Sequence, residues 1–166
     1  MVLARHVGAK PWATTRVKVS GAETAAGGAV VFVVRCEEPA AGAMDFSKHV
    51  DDFAWGDDSV TFVVENDGRV VTESVYKDGS REGEVGFETK VEKDATGWTV
   101  TAKMKISPAV FKAGKVRGNV SRWRVGDMRL PKERRVPGSR YEYSRLSTRY
   151  TQRDVDPAAF VEFRLR

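Results

Sequence analysis

Two stretches of this chain alternate apolar and polar residues with a period of two, and that pattern limits its fold more than any other feature. In residues 98–106, Trp98, Val100, Ala102, Met104 and Ile106 alternate with Thr99, Thr101, Lys103 and Lys105. In residues 60–65, Val60, Phe62 and Val64 alternate with Thr61, Val63 and Glu65. Successive side chains of an extended strand point to opposite sides, so each stretch makes a strand with one core face and one outer face. A helix would scatter the same apolar groups around its circumference. Trp98, in phase with Val100 and Met104, is expected in the core.

Other segments extend the pattern. Residues 14–20 place Thr15, Val17 and Val19 on one side, and residues 29–36 are β-branched and apolar on both faces, as in a central strand under two layers. Strand character returns at residues 69–76, 84–92, 116–125 and 160–165. Asn66-Asp67-Gly68 is a tight-turn signal that makes a hairpin of its neighbours, whereas residues 21–28 are small and turn-like. Ser107 followed by Pro108 predicts one short helical turn near residues 107–112, with serine as N-cap and proline at the first helical position. Eight or nine short strands with so little helix predict an all-β antiparallel β-sandwich with jelly-roll or immunoglobulin-like layers. The 166 residues are expected to form a single domain, with an irregular lead-in at 1–13 and long loops at 40–54 and 126–140.

No apolar run approaches the roughly 18 residues of a membrane span, so membrane insertion is not expected. The N-terminus lacks the charged start and apolar middle of a secretory signal. Cys36, the single cysteine, lies inside an apolar strand and reads as a small buried hydrophobe. Charge is uneven: residues 1–111 carry 13 Lys and Arg against 17 Asp and Glu, net −4, while residues 112–166 carry 15 against 6, net +9. Arginine dominates the basic third, and it suits bidentate bonding to carboxylates, phosphates or vicinal hydroxyls. The simplest reading is a solvated basic surface complementing the acidic half. Nucleic acid ranks behind as a partner, because it needs aromatics exposed among the positive charges of residues 129–153.

Catalytic chemistry has no visible constellation. His6 and His49 have no metal-ligand spacing, and there is no nucleophile elbow, phosphate-binding loop or dinucleotide fingerprint. The adjacent Asp57 and Asp58 point to opposite faces of a strand, so they do not converge as an acid and a base. Glu37, Asp57 and Asp58 are the hard oxygen ligands calcium would use, but without a calcium-loop pattern surface charge is the simpler reading and no cofactor is expected. Two tryptophans stand apart from the core pattern. Trp55 sits at a loop-to-strand junction beside carboxylates, and Trp123 shares a polar face with Arg117, Asn119 and Ser121 while Val120 takes the other side. An indole framed by hydrogen-bonding groups suits a sugar, whose ring offers an apolar face for stacking and hydroxyls around its edge.

Five segments together carry a resemblance. They are Val-Val-Phe-Val-Val-Arg-Cys-Glu-Glu-Pro at 30–39, Trp-Gly-Asp-Asp-Ser-Val-Thr-Phe-Val-Val at 55–64, Gly-Trp-Thr-Val-Thr-Ala-Lys-Met-Lys-Ile at 97–106, Asn-Val-Ser-Arg-Trp-Arg at 119–124 and Asp-Pro-Ala-Ala-Phe-Val-Glu-Phe-Arg-Leu at 156–165. In this order they resemble the family-nine-like carbohydrate-binding modules of the DOMON-like β-sandwich superfamily, over most of the chain from about residue 29. The resemblance implies that Trp55 is one wall of an aromatic sandwich around a terminal sugar and that Asn119 and Ser121 line the face. Thr61 stands where the family usually has an acidic residue, Arg153, Asp154 and Val155 fill the approach to its second aromatic wall, and Tyr150 is the nearest aromatic. The motif's closing glycine is Val161 or Glu162. The expectation is a non-catalytic module that binds a glycan through Trp55, Thr61, Asn119, Ser121, Trp123, Arg124 and Tyr150, with the arginine excess favouring an acidic sugar. The alternative is a structural or protein-interaction sandwich that keeps the fold and docks an acidic partner or another domain of a longer chain. A secreted, periplasmic or cell-surface accessory domain is implied by the resemblance alone.

Overall fold

The structure, a computed structural model, describes residues 1, 4–5, 13–25, 27–39, 41–44, 46–47, 57–84, 86–125, 142–147 and 155–165. These form two antiparallel sheets packed face to face. One, of four strands, has the order β2 (Thr15–Thr24), β3 (Gly27–Glu37), β8 (Gly97–Ile106), β7 (Phe87–Asp94). The other has seven strands in the order β1 (Ala4–Arg5), β10 (Glu142–Arg145), β9 (Lys115–Arg124), β4 (Ser59–Asn66), β5 (Arg69–Tyr76), β6 (Arg81–Gly83), and β11 (Val161–Arg164) shares the β10 edge of β9. β9 is therefore bordered along one edge by β4 and along the other by β11 and then β10.

The period of two places the core as expected. Val60, Phe62 and Val64 from β4, and Trp98, Val100, Ala102, Met104 and Ile106 from β8, all point inward and are buried. Phe32 sits among three more rings, with centroids 5.5 Å from Phe62, 6.5 Å from Phe87 and 5.4 Å from Phe163. Each such side chain contributes about 1.5–3 kcal/mol by leaving water, so this cluster is the main force holding the two layers together. Glu73 adds a polar tie. Buried on the inner side of β5, it accepts hydrogen bonds from the backbone N–H groups of Gly86 and Phe87, each at 3.1 Å, at the start of the other sheet's edge strand.

Local signals hold where the turn chemistry is strong. Asp67 and Gly68 form the two-residue loop between β4 and β5 with φ of 51° and 74°, the backbone of a tight hairpin whose twist matches its strands. The single α-helix among the described residues, α1 (Pro108–Lys112), is capped by the Ser107 hydroxyl, which accepts from the Val110 N–H at 3.2 Å. No helix among them is long and apolar enough to cross a membrane.

Three expectations are corrected. Residues 21–28 are not a loose turn: β2 and β3 pair through them as far as Thr24 opposite Gly27. Small residues are needed there because Phe111 of α1 lies against Gly28, leaving no room for a side chain. The lead-in at 1–13 is not wholly irregular. Ala4–Arg5 pairs with β10, and Met1 exchanges two 2.7 Å hydrogen bonds with Val17, contacts too short in sequence to show a period. Finally, the basic third is not simply a solvated surface. Arg122, Arg124 and Arg145 are buried, and Arg117 pairs with Glu65 at 2.9 Å. Of the two long loops, residues 126–140 and most of 40–54 lie outside the described residues, as do His6 and His49.

Candidate functional site

The register of the seven-stranded sheet assembles a polar and aromatic surface on its outer side. One row across the strands is Tyr143, Trp123, Ser59 and Tyr76; the next is Arg145, Ser121, Thr61, Ser74 and Glu82; a third is Asn119, Val63 and Thr72. Directly opposed residues of neighbouring strands share a face, so these rows are contiguous. Trp123 and Tyr143 are half-buried neighbours with ring centroids 6.2 Å apart and planes tilted by 46°. The Thr61 and Ser74 hydroxyls are hydrogen-bonded at 2.8 Å, and the Tyr76 hydroxyl donates to Glu82 Oε2 at 2.5 Å. Asn119 is fully buried; its Oδ1 accepts from the Val120 N–H at 3.0 Å, whereas its Nδ2 has no hydrogen-bond partner among the described residues. A buried amide donor left without a partner costs free energy.

Beneath the aromatic row the interior is charged rather than apolar. Arg124 grips Glu38 with two bonds, Nε to Oε2 at 2.6 Å and Nη2 to Oε1 at 2.7 Å. Arg122 donates to the same carboxylate at 3.4 Å, to Thr15 Oγ1 at 3.1 Å and to the Glu37 carbonyl at 2.9 Å. All three charged side chains are buried. Cys36 lies in the same region, and burial pushes its thiol up to about 11.

The sequence-derived residues divide accordingly. Thr61, Asn119, Ser121 and Trp123 come together on the outer face of β4 and β9. Arg124 does not join them: alternation turns it inward, where Glu38 takes its guanidinium, so it is corrected from a surface hydrogen-bonding group to an interior ion pair. Trp55 and Tyr150 lie outside the described residues. The calcium candidates already have protein partners. Glu37 bonds Arg16, Asp57 pairs with the buried Lys77, and Asp58 accepts from the Val125 N–H at 3.3 Å. Among the described residues no group of three or more His, Cys, Asp or Glu is arranged to hold a metal ion. Sequence reasoning missed Tyr143, Arg145, Ser74 and Tyr76. The alternation of Tyr143 with Ser144 was the available signal, but which strand lies beside Trp123 depends on topology.

The sequence matches no protein-family model, and no curated protein aligns with it. Among solved structures, the chain is similar to a family 9 carbohydrate-binding module from Caldicellulosiruptor kristjanssonii in complex with cellotriose. Identity is 14% and the TM-score 0.64, over 95% of this chain and 77% of that one. A family 9 module from the same organism in complex with glucose superposes with a TM-score of 0.58 at 14% identity, over 99% of this chain and 84% of that one. The fold is family 9-like. A family 9-like sandwich accounts for the two-layer architecture read from the alternating strands.

Proposed function

We propose that this protein is a non-catalytic carbohydrate-binding module that holds a glycan on the outer face of the seven-stranded sheet. The observation that carries the reading is the Trp123–Tyr143 ring pair standing beside rows of hydroxyl and amide side chains on a family 9-like sandwich. Aromatic faces stack on the C–H side of a pyranose, while Thr61, Ser74, Ser121 and Asn119 offer donors and acceptors to its hydroxyls. Trp55 and Tyr150, carried over from the resemblance, would supply further stacking. The arginine excess of residues 112–166 favours a carboxylated sugar over a neutral one. The neighbours' cellotriose and glucose complexes support a sugar as the ligand class. An exported accessory domain, working beside other domains of a longer chain, is part of the same proposal.

A second reading keeps the fold without the sugar: an interaction domain whose larger sheet is covered. It is favoured by the burial of Asn119, Ser121 and Arg145, exposed by 0%, 2% and 2%. A glycan array with neutral and anionic members, repeated by affinity gel with Trp55→Ala and Trp123→Ala, separates the two. Retention that either substitution abolishes is the expected result. No retention on any glycan would sink the first reading in favour of the second.

A further inference from the structure

We propose that Glu38 is a positioning residue for the glycan face, acting through Arg122 and Arg124 on the ring between them, Trp123; this rests on the glycan reading. Alternation along β9 sends residues 122 and 124 inward and residue 123 outward, so fixing the two arginines fixes the direction of the indole. Both arginines are held from the opposite layer. Glu38 follows the end of β3 and takes Arg124 bidentately at 2.6 and 2.7 Å and Arg122 at 3.4 Å. Thr15 of β2 and the Glu37 carbonyl of β3 complete the hold on Arg122 at 3.1 and 2.9 Å. The adjoining end of β4 is tied in as well, because Asp58 accepts from the Val125 N–H at 3.3 Å and its neighbour Ser59 is the residue opposite Trp123.

An apolar filling would close this end of the core at least as well, since desolvating three ions costs much of what their attraction returns. What the ions supply and an apolar filling lacks is direction. A bidentate guanidinium–carboxylate pair tolerates little sliding or rotation, whereas packed aliphatic groups tolerate both. The clamp therefore couples the smaller sheet, which carries none of the proposed ligand contacts, to the aromatic row on the far side of the larger sheet. Binding sites lose affinity when such a supporting layer loosens, even with every contact residue intact.

The test compares Glu38→Gln and Glu38→Asp with Ile106→Ala, a buried substitution at the opposite end of the sandwich, where Ile106 faces Gly28 rather than Cys36. All are measured at a temperature where each variant is folded, by titration with the glycan found on the array and by backbone hydrogen exchange. Glu38→Gln is expected to weaken the glycan by about tenfold and to speed exchange selectively in residues 121–124 and 143–145. Ile106→Ala, with a similar loss of melting temperature, is expected to change neither. If Glu38→Gln does not fold, Glu38→Asp, which keeps the charge but shortens the reach, carries the same comparison. Wild-type affinity and uniform exchange in the Glu38 variants would overturn the proposal. A wild type that binds no glycan would fell the glycan reading alone; the exchange pattern then decides, with selective loosening of residues 121–124 supporting the clamp and uniform loosening overturning it.

Discussion

Trp123 and Tyr143 are paired residues of β9 and β10, and their rings stand 6.2 Å apart on the outer side of the larger sheet. The backbone ladder orients both rings before any ligand arrives, which lowers the ordering cost of stacking a sugar on them. Removing Trp123 should therefore cost binding more than folding. Trp123→Ala is expected to reduce retention on the glycan affinity gel by tenfold or more, with a stability loss of only about 1–2 kcal/mol in urea denaturation for this half-buried ring. Equal losses in both measurements would assign the ring to packing.

Glu38 pairs with two buried arginines, and taking away the carboxylate removes an anion that both contact in the interior. Glu38→Leu is expected to lower unfolding free energy by about 3–5 kcal/mol. Adding Arg122→Met and Arg124→Leu should restore most of that stability, because a fully apolar filling carries no stranded charge. Urea denaturation of the single and triple variants checks both statements.

Gly28 lies under the Phe111 ring, where a methyl group would overlap ring atoms. Gly28→Ala is expected to cost about 1–3 kcal/mol in an otherwise normal protein. In a Phe111→Ala background the same change should cost much less, since the obstructing ring is gone. A double-mutant cycle showing additive effects would mean that the close approach of α1 to β3 is not what requires glycine.

Burial raises the Cys36 thiol from 9.0 to about 11, so its neutral form is favoured in the folded state. The sign follows from linkage: the stabilisation is complete below the unfolded thiol's value and is lost as pH rises through the folded one. Stability should fall between about pH 9 and 11 by more than in a Cys36→Ala variant, whose own loss over that range reports the other groups. Thiol labelling at pH 8 should be slow in the native protein and fast in urea; rapid native labelling would contradict the burial.

Asp94 shows the opposite case on the surface. The Arg35 hydrogen bond, followed by the Thr96 N–H, holds its carboxyl well below the usual carboxylate range. Its contribution is present above the unfolded value and is lost as pH falls, so Asp94→Asn should flatten the acid limb of the stability profile without moving the alkaline one. An unchanged acid limb would show that the pair contributes nothing measurable to folding.

The sequence by itself determined the local level: the alternating strands, the Asp67–Gly68 hairpin turn, the Ser107-capped helical turn and the buried phase of Trp98 and Phe62. These follow from residues a few positions apart, where the backbone period and the allowed φ values decide the outcome. It also placed Asn119, Ser121 and Trp123 on one face, since residues two apart in a strand share a side. Tertiary structure alone decided the rest. That Tyr143 stands beside Trp123, and Thr61 beside both Ser74 and Ser121, depends on which strands become neighbours and in what register. Arg122 and Arg124 alternate correctly with Trp123, yet their composition reads as surface. Only the meeting of β9 with the end of β3, 84 and 86 residues apart along the chain, supplies the Glu38 carboxylate that lets two charges sit in the core. A guanidinium is buried where an anion has been brought to meet it, and long-range packing makes that arrangement.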